Sequence, residues 1–355
     1  MPQIPTATES APILSVRNLK THFELDEGKV RAVDGVSYDI RSGQVLGIVG
    51  ESGCGKSMTM RSILRIVEPP GRIVDGEILY RPTNPKGFDT DAEGYVDLTR
   101  LDARSRKMRR IRGGEIALIP QEPMSAFSPL HTIGNQMIEA IRLHRRVSRG
   151  EARQIAITSL REVGIPSPET RVDSYSWQMS GGLRQRAIIA MALACNPSVL
   201  IADEPTTAVD VTTQAQILDL IKRLRQEHDS AILFITHDLG VIAQLTDDVI
   251  VMYLGKVMEK GPVDGIFHDA KHPYTRALLR SMPSIDSSPR VQLPTITGSI
   301  PHPFNRPAGC PFHPRCPDAI PGKCDRFVPA LVEVEPNRPV ACFLHHDEVE
   351  EGGAA

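Results

Sequence analysis

QVLGIVGESGCGKS, residues Gln44–Ser57, decides the fold. Its first seven residues form a near-continuous apolar run, the pattern of a strand buried in a parallel sheet. The run breaks at Gly50, and Gly50-Glu51-Ser52-Gly53-Cys54-Gly55-Lys56-Ser57 then fills the spacing G-x-x-x-x-G-K-[ST]. Beyond it Met60, Ile63, Leu64 and Val67 share one face of an expected helix. Strand, glycine loop and helix in that order let backbone N–H groups wrap the α/β-phosphates of a nucleotide. Lys56 then neutralises the β/γ oxygens and the Ser57 hydroxyl ligates Mg²⁺. At average glycine frequency such a match arises by chance in about one chain in a hundred of this length. The bland alternative, a glycine-rich turn closing a strand, does not call for a helix immediately behind it.

Composition sets the frame. The 355 residues allow one large domain plus a smaller one, and a formal net charge of -2 gives no bulk electrostatic reason to expect nucleic acid or a membrane surface. The basic cluster Arg104–Arg112 reads as a solvated face. MPQIPTATESAPILSV lacks the basic-then-apolar layout of a signal peptide, and the apolar run Ala187–Ala194 is far short of the ~18–20 residues of a spanning helix. A cytosolic protein is expected, with any membrane role exercised through a partner. Six cysteines in a reducing compartment point to metal ligation or plain thiols before disulfides.

Along the chain, ILSVRNLKTHF and VRAVDGVSYDI alternate as half-buried antiparallel strands do, and Pro82–Gly94 reads as a surface insertion. The region from Pro123 to Gln178 is helical in pattern. SVLIAD, QAQILDLIKRLRQEH and AILFITHD then read strand, helix, strand, which implies parallel pairing with right-handed crossovers. From about Gly261 the sequence turns Pro-rich and cysteine-containing, and reads as a separate appendage. The expected layout is a flexible leader (1–12), a nucleotide-binding domain (13–265, helical subdomain about 123–180), an extension (266–346) and a disordered acidic tail (347–355).

Leu200-Ile201-Ala202-Asp203-Glu204 supplies the second half of a phosphate site. The strand delivers Asp203 to the Mg²⁺ shell, and Glu204 can polarise an attacking water. His237 ends the next strand, where ligands of α/β sheets bind, and is placed to contact the γ-phosphate or that water. One further stretch, MSGGLRQRAIIAMALA (Met179–Ala194), sets Ser180, Gly181 and Gly182 ahead of a helix, an anion site by its N–H groups and dipole. No Gly-Lys-Ser cradle lies beside it in the chain.

Taken in order, GESGCGKS, IPQEP, MSGGLRQR, VLIADEPTTAVD and ITHD resemble the nucleotide-binding subunit of an ABC transporter over roughly Ile13–Gly261. The resemblance implies an α/β fold, a P-loop ABC-type ATPase core with an antiparallel β subdomain, a helical subdomain and a small cysteine-containing C-terminal extension. It implies that Gln121 reaches Mg²⁺ beside Ser57 and Asp203, that Glu122–Pro129 faces the permease, and that Ala208-Val209-Asp210 is the D-loop. Glu204 and His237 match the catalytic glutamate and switch histidine, with Lys56 as the third catalytic group. ATP binding falls to Gly50, Glu51, Ser52, Gly53, Cys54, Gly55, Lys56, Ser57 and Met58. Phe23 is either the adenine-stacking aromatic or a strand residue of the core. In this family the Ser180-Gly181-Gly182 turn caps the γ-phosphate held by a partner subunit, which accounts for the orphan anion site. Leu183 departs from the family, which usually has Gln there.

The tail carries Cys310, Cys316, Cys324 and Cys342, with five, seven and seventeen residues between them, unlike the C-x-x-C pairs of zinc ribbons. Buried thiols, a structural zinc with some of His313, His345 and His346, and chance all remain open on spacing alone. Together with HPYTRALL (His272–Leu279), this tail resembles the C-terminal extension of oligopeptide/dipeptide-type ABC importer ATPases. Some of those hold a [4Fe–4S] cluster on the matching cysteines, with zinc as the alternative. Cys54 and Cys195 read as packing residues. The resemblance implies a subunit hydrolysing ATP to power import of peptides, or of nickel, glutathione or oligosaccharide, from the cytoplasmic face of the inner membrane. Its partners would be a homologous ATPase (a heterodimer), two permease subunits and an extracytoplasmic solute-binding protein. A soluble ABC ATPase acting on DNA or ribosomes is the reading from another class, and the chain has neither the long coiled-coil insertion nor the tandem domains usual there.

Overall fold

The computed structural model describes residues 11–122, 126–207, 210–282 and 296–350. Most of the expected leader, Ala208 and Val209 of the D-loop, part of the segment expected to face the permease, and residues 351–355 lie outside them. The chain runs β1 (Leu14–Leu25), β2 (Gly28–Ile40), β3 (Val45–Val49), α1 (Lys56–Ile63), β4 (Gly71–Tyr80), β5 (Val96–Asp97), α2 (Arg106–Ile111) and β6 (Ile116–Ile119). Then come α3 (Ile133–His144), α4 (Arg149–Glu162), α5 (Pro168–Arg171), α6 (Gly181–Leu193), β7 (Val199–Asp203), α7 (Val211–His228) and β8 (Ala231–Ile235). The last stretch holds α8 (Leu239–Leu245), β9 (Asp248–Tyr253), β10 (Lys256–Pro262), α9 (Val263–His268), α10 (Pro273–Arg280), β11 (Val332–Glu335) and β12 (Arg338–Val340).

These elements form two compact units, one of residues 1–15, 39–45 and 78–235 and one of 16–38, 46–77 and 236–355. In the first unit β8, β7 and β6 lie side by side in parallel, with Ile116 opposite Val199 and Leu200 opposite Ile232. All residues of β7 and β8 are buried, as their unbroken apolar sequences require. The helices carry their own start signals. Thr132 caps α3, Ser148 and Glu151 form a reciprocal capping box on α4, and Ser180 and Asp210 cap α6 and α7.

In the second unit β3 pairs in parallel with β9, Leu46 opposite Asp248 through Val49 opposite Val251. β10 returns antiparallel along β9, and β12 and β11 continue the order outward. β2, β1 and β4 are neighbours in a second sheet.

Three expectations change. α1 stops at Ile63, short of Val67, because Arg65 takes a left-handed φ of 54° and the Ile66 N–H folds back to the Arg61 carbonyl at 2.9 Å. The extension is not a separate appendage: Val340 of β12 pairs with Glu259 of β10, so it is built into the second unit's sheet. The acidic tail is placed as far as Glu350, whose N–H donates to the Val328 carbonyl and whose carboxylate meets Lys256 at 2.5 Å.

Candidate nucleotide site

The Gly50–Ser57 loop belongs to the second unit, and two of its glycines, Gly50 and Gly55, are obligatory for steric reasons. Gly50 has φ +150° and a Cβ there would sit 2.2 Å from the Met252 carbonyl oxygen. Gly55 has φ +105°, and its Cβ would lie 2.3 Å from the Ala32 carbonyl oxygen. The loop is thus threaded between the end of β9 and the backbone of β2, with room for no side chain at either point. Lys56, buried at the start of α1, donates to the Gly50 carbonyl at 2.7 Å and the Glu51 carbonyl at 3.2 Å. Its ammonium is therefore held over the loop by that loop's own carbonyls. Ser57 and Met58 follow on the helix, half-buried, while Ser52 and Gly53 are exposed. Cys54 is buried, and burial pushes its thiol pKa up, which fits the packing role. Phe23 is half-buried on β1 with its ring against Gly71 of β4, so close that a Cβ at 71 would lie 2.5 Å from it.

The first unit gathers a second group. Glu204 follows β7 in a left-handed conformation with φ 46°, a strained setting for a glutamate. Its N–H donates to the Ile235 carbonyl at 2.8 Å, so the end of β8 holds the strained residue. Its carboxylate accepts from Gln121 Nε2 at 3.0 Å and from Thr207 Oγ1 at 3.0 Å. Gln121 and Glu204, 83 residues apart in the chain, are thus brought into contact, and Thr207 joins them as a residue sequence reasoning missed. Asp203 closes β7 and is buried. The Ser180-Gly181-Gly182 turn lies in the same unit. Ser180 Oγ accepts from the Leu183 N–H at 3.4 Å, and a methyl group added at Gly181 would meet nothing within 4 Å, so open space lies above the helix start. Gln185, one turn on, is buried and donates to the Pro205 carbonyl at 2.7 Å, which ties α6 to the segment after Glu204. His237 is not part of this group: it falls in the second unit, exposed just ahead of α8.

The extension shows what HPYTRALL does. His272 Nδ1 accepts from the Tyr274 N–H at 3.0 Å and caps α10, with Pro273 at the first helical position. Burial pushes the His272 pKa down to about 3, so the ring is neutral and can accept. Glu259, fully buried, takes the N–H groups of Lys271 and His272 at 2.8 and 2.9 Å. Tyr274 then points into a cluster with Tyr253 and Phe312, ring centroids 4.8 and 5.2 Å away.

The four tail cysteines fall in the same unit. Cys310 is influenced by the charges of Cys324, Cys342 and Cys316, and burial first, then those neighbours, push its thiol up to about 12. Cys324 Sγ accepts from the Ile320 N–H at 3.3 Å. Among the described residues, no group of three or more His, Cys, Asp or Glu is placed to hold a metal ion. One ring nitrogen of each histidine offered to zinc meets a backbone carbonyl: His345 that of Lys271, His346 that of Val340 and His313 that of Cys310.

The family described as ABC transporter matches residues 33–207, and the oligopeptide/dipeptide transporter C-terminal region matches 258–324. The protein y4tR of Sinorhizobium fredii (strain NBRC 101917 / NGR234) is 46% identical over 95% of this chain and 96% of its own length. The chain belongs to the ABC transporter family. The dipeptide transport ATP-binding protein DppD of Bacillus subtilis (strain 168) is 44% identical over 95% of this ABC ATPase and 96% of its own length. Among solved structures, the dimeric form of the bacterial ABC transporter cassette MJ0796 superposes with a TM-score of 0.60 at 25% identity, over 70% of this chain and 98% of that one. A second structure of that cassette, a post-hydrolysis dimer bound to ADP and Pi, has a TM-score of 0.59 at 25% identity, over 70% and 98%. The ABC ATPase fold expected from the motifs is therefore established, and ATP is the nucleotide that such a cassette takes.

Proposed function

We propose that this ABC ATPase hydrolyses ATP to power the import of peptides through a membrane transporter. The observation that carries this reading is the coexistence, in one chain, of the cassette and the oligopeptide/dipeptide C-terminal region, matched along nearly the full length of proteins named for dipeptide and oligopeptide transport. No helix among the described residues is long and apolar enough to cross a membrane. That is in keeping with a peripheral subunit at the cytoplasmic face, acting on two permease subunits fed by an extracytoplasmic solute-binding protein.

The residues divide the work as follows. Gly50–Ser57 wrap the phosphates with backbone N–H groups while Lys56 neutralises the β/γ oxygens. Mg²⁺ arrives with ATP and supplies further charge neutralisation; Ser57, Asp203 and Gln121 are the residues that would hold it. Glu204 takes the proton of the attacking water, and the Gln121 and Thr207 bonds aim its carboxylate. His237 contacts the γ-phosphate side. Ser180, Gly181 and Gly182 complete the site of a homologous partner subunit, a heterodimer being the expected arrangement. Driving an open pair mostly closed takes a preference of about 5.5 kcal/mol for the closed form, more than one Lys56 contact supplies and within reach of two composite sites.

The test is ATP turnover and peptide uptake by the assembled, reconstituted transporter. Glu204→Gln is expected to lower turnover at least 100-fold while ATP still binds. Normal turnover in that variant would falsify the assignment of Glu204, and ATP turnover that peptide and binding protein fail to stimulate would refute peptide as the solute.

The cysteine set belongs to the same proposal. A [4Fe–4S] cluster on Cys310, Cys316, Cys324 and Cys342 is carried by the resemblance of the tail alone, since no three of these residues are placed together as metal ligands in this structure. Metal analysis of anaerobically purified protein decides it, with iron and labile sulfide expected near four per chain and stoichiometric zinc refuting the cluster.

A further inference from the structure

Glu51, the first variable residue of the phosphate loop, is held by the C-terminal extension through both its backbone and its side chain. Its N–H donates to Tyr274 Oη at 2.9 Å. Its carboxylate accepts from Arg315 Nη1 at 2.7 Å and Nη2 at 3.0 Å, a two-pronged pair. The Arg315 side chain is only 4% exposed and that of Glu51 21%. Nothing in the guanidinium is idle: Nη1 also reaches Tyr253 Oη at 3.2 Å, and Nε donates to the Thr297 carbonyl at 3.1 Å. Arg315 ends the short turn His313–Arg315, pinned by its own N–H to the Phe312 carbonyl at 3.0 Å.

A buried pair of this kind is weak as a stabilising device, because desolvation offsets much of the attraction. Its value lies in what it fixes. Glu51 places a negative charge on a loop that must receive a triphosphate, and like charges at close range repel strongly where water is scarce. The planar fork of Arg315 cancels that charge and holds it to one side. Tyr274 meanwhile fixes the peptide between Gly50 and Glu51, the peptide whose carbonyl Lys56 grips.

We propose that Tyr274 and Arg315 are positioning residues for the phosphate loop, so that the C-terminal extension sets the affinity of this ATPase for ATP. The proposal rests on the reading that this loop is the ATP site, and the experiment separates the two. Mg·ATP is titrated into the full-length chain and KM and kcat are measured on the assembled transporter. Arg315→Gln is expected to weaken ATP binding at least tenfold and to raise KM with kcat within threefold of wild type. In a Glu51→Gln background, where there is no charge to cancel, the same substitution changes affinity less than threefold. Tyr274→Phe, which keeps the ring packing and removes only the acceptor oxygen, weakens binding by roughly threefold to tenfold. Should Arg315→Gln fail to fold, Tyr274→Phe and Arg315→Lys carry the test, the lysine retaining charge without the fork and giving an intermediate loss. Equal losses from Arg315→Gln in both backgrounds, or wild-type affinity in Arg315→Gln and Tyr274→Phe, overturn the proposal. Lys56→Ala is the control on the underlying reading. If it binds ATP as wild type does, the loop is not the site; if it alone loses binding, the loop stands and the positioning role falls.

Discussion

At the scale of single residues, burial decides the state of His272, the histidine that caps α10. Its pKa is held near 3, whereas in the unfolded chain it lies near the usual 6.5. The unfolded state therefore binds the extra proton between those values, and stability rises with pH across that window and levels off above about 6.5. The native protein is expected to lose about 2 kcal/mol through this group between pH 7.5 and pH 5. His272→Asn keeps a capping acceptor but does not titrate, so its urea midpoint should fall less over the same range. Parallel pH profiles for the two proteins would show that the ring accepts a proton in the folded state after all.

At the scale of elements, α6 separates structure from function more cleanly than any other. Its cap, Ser180, and its apolar residues were readable from MSGGLRQRAIIAMALA. What the periodicity could not give is the anchor of Gln185 on the Pro205 carbonyl, a link made by a polar side chain buried on an otherwise apolar face. Gly181 has no structural reason to be glycine: open space surrounds it and its backbone does not take a positive φ. Alanine there is a better helix former, so Gly181→Ala should leave stability unchanged or raise it by up to about 1 kcal/mol. If the turn receives a partner's γ-phosphate, however, the added methyl intrudes where backbone and phosphate must touch, and ATP turnover of the assembled complex should fall at least tenfold. Thermal melting and turnover on one preparation check both halves. A variant as active as the parent would remove the role assigned to this helix in the partner's site.

At the scale of the whole chain, the order of strands and helices was legible because parallel pairing leaves continuous apolar runs and helices leave a 3.6-residue stripe. The placing of the C-terminal extension was not, for contacts such as Arg315 to Glu51 span 264 residues and leave no periodic trace. The same holds for Arg338, which on sequence is one more charge in a Pro-rich strand. Its guanidinium joins Glu259 of β10 at 3.3 Å, Asp269 at 3.0 Å and Glu335 at 3.2 Å, with side-chain exposures of 8% for Arg338 and 0% for Glu259. Arg338→Met would leave Glu259 buried with only the Lys271 and His272 N–H groups to balance it. Removing one partner of a buried pair costs about 3–5 kcal/mol, whereas an exposed pair such as Lys20 with Asp75 contributes less than about 1 kcal/mol. Urea unfolding should therefore show Arg338→Met several times more damaging than Lys20→Met, although each deletes a single cation. If the two variants proved equally stable, the two backbone N–H groups would suffice to hold Glu259, and the joint between β10 and β12 would owe its strength to apolar packing instead.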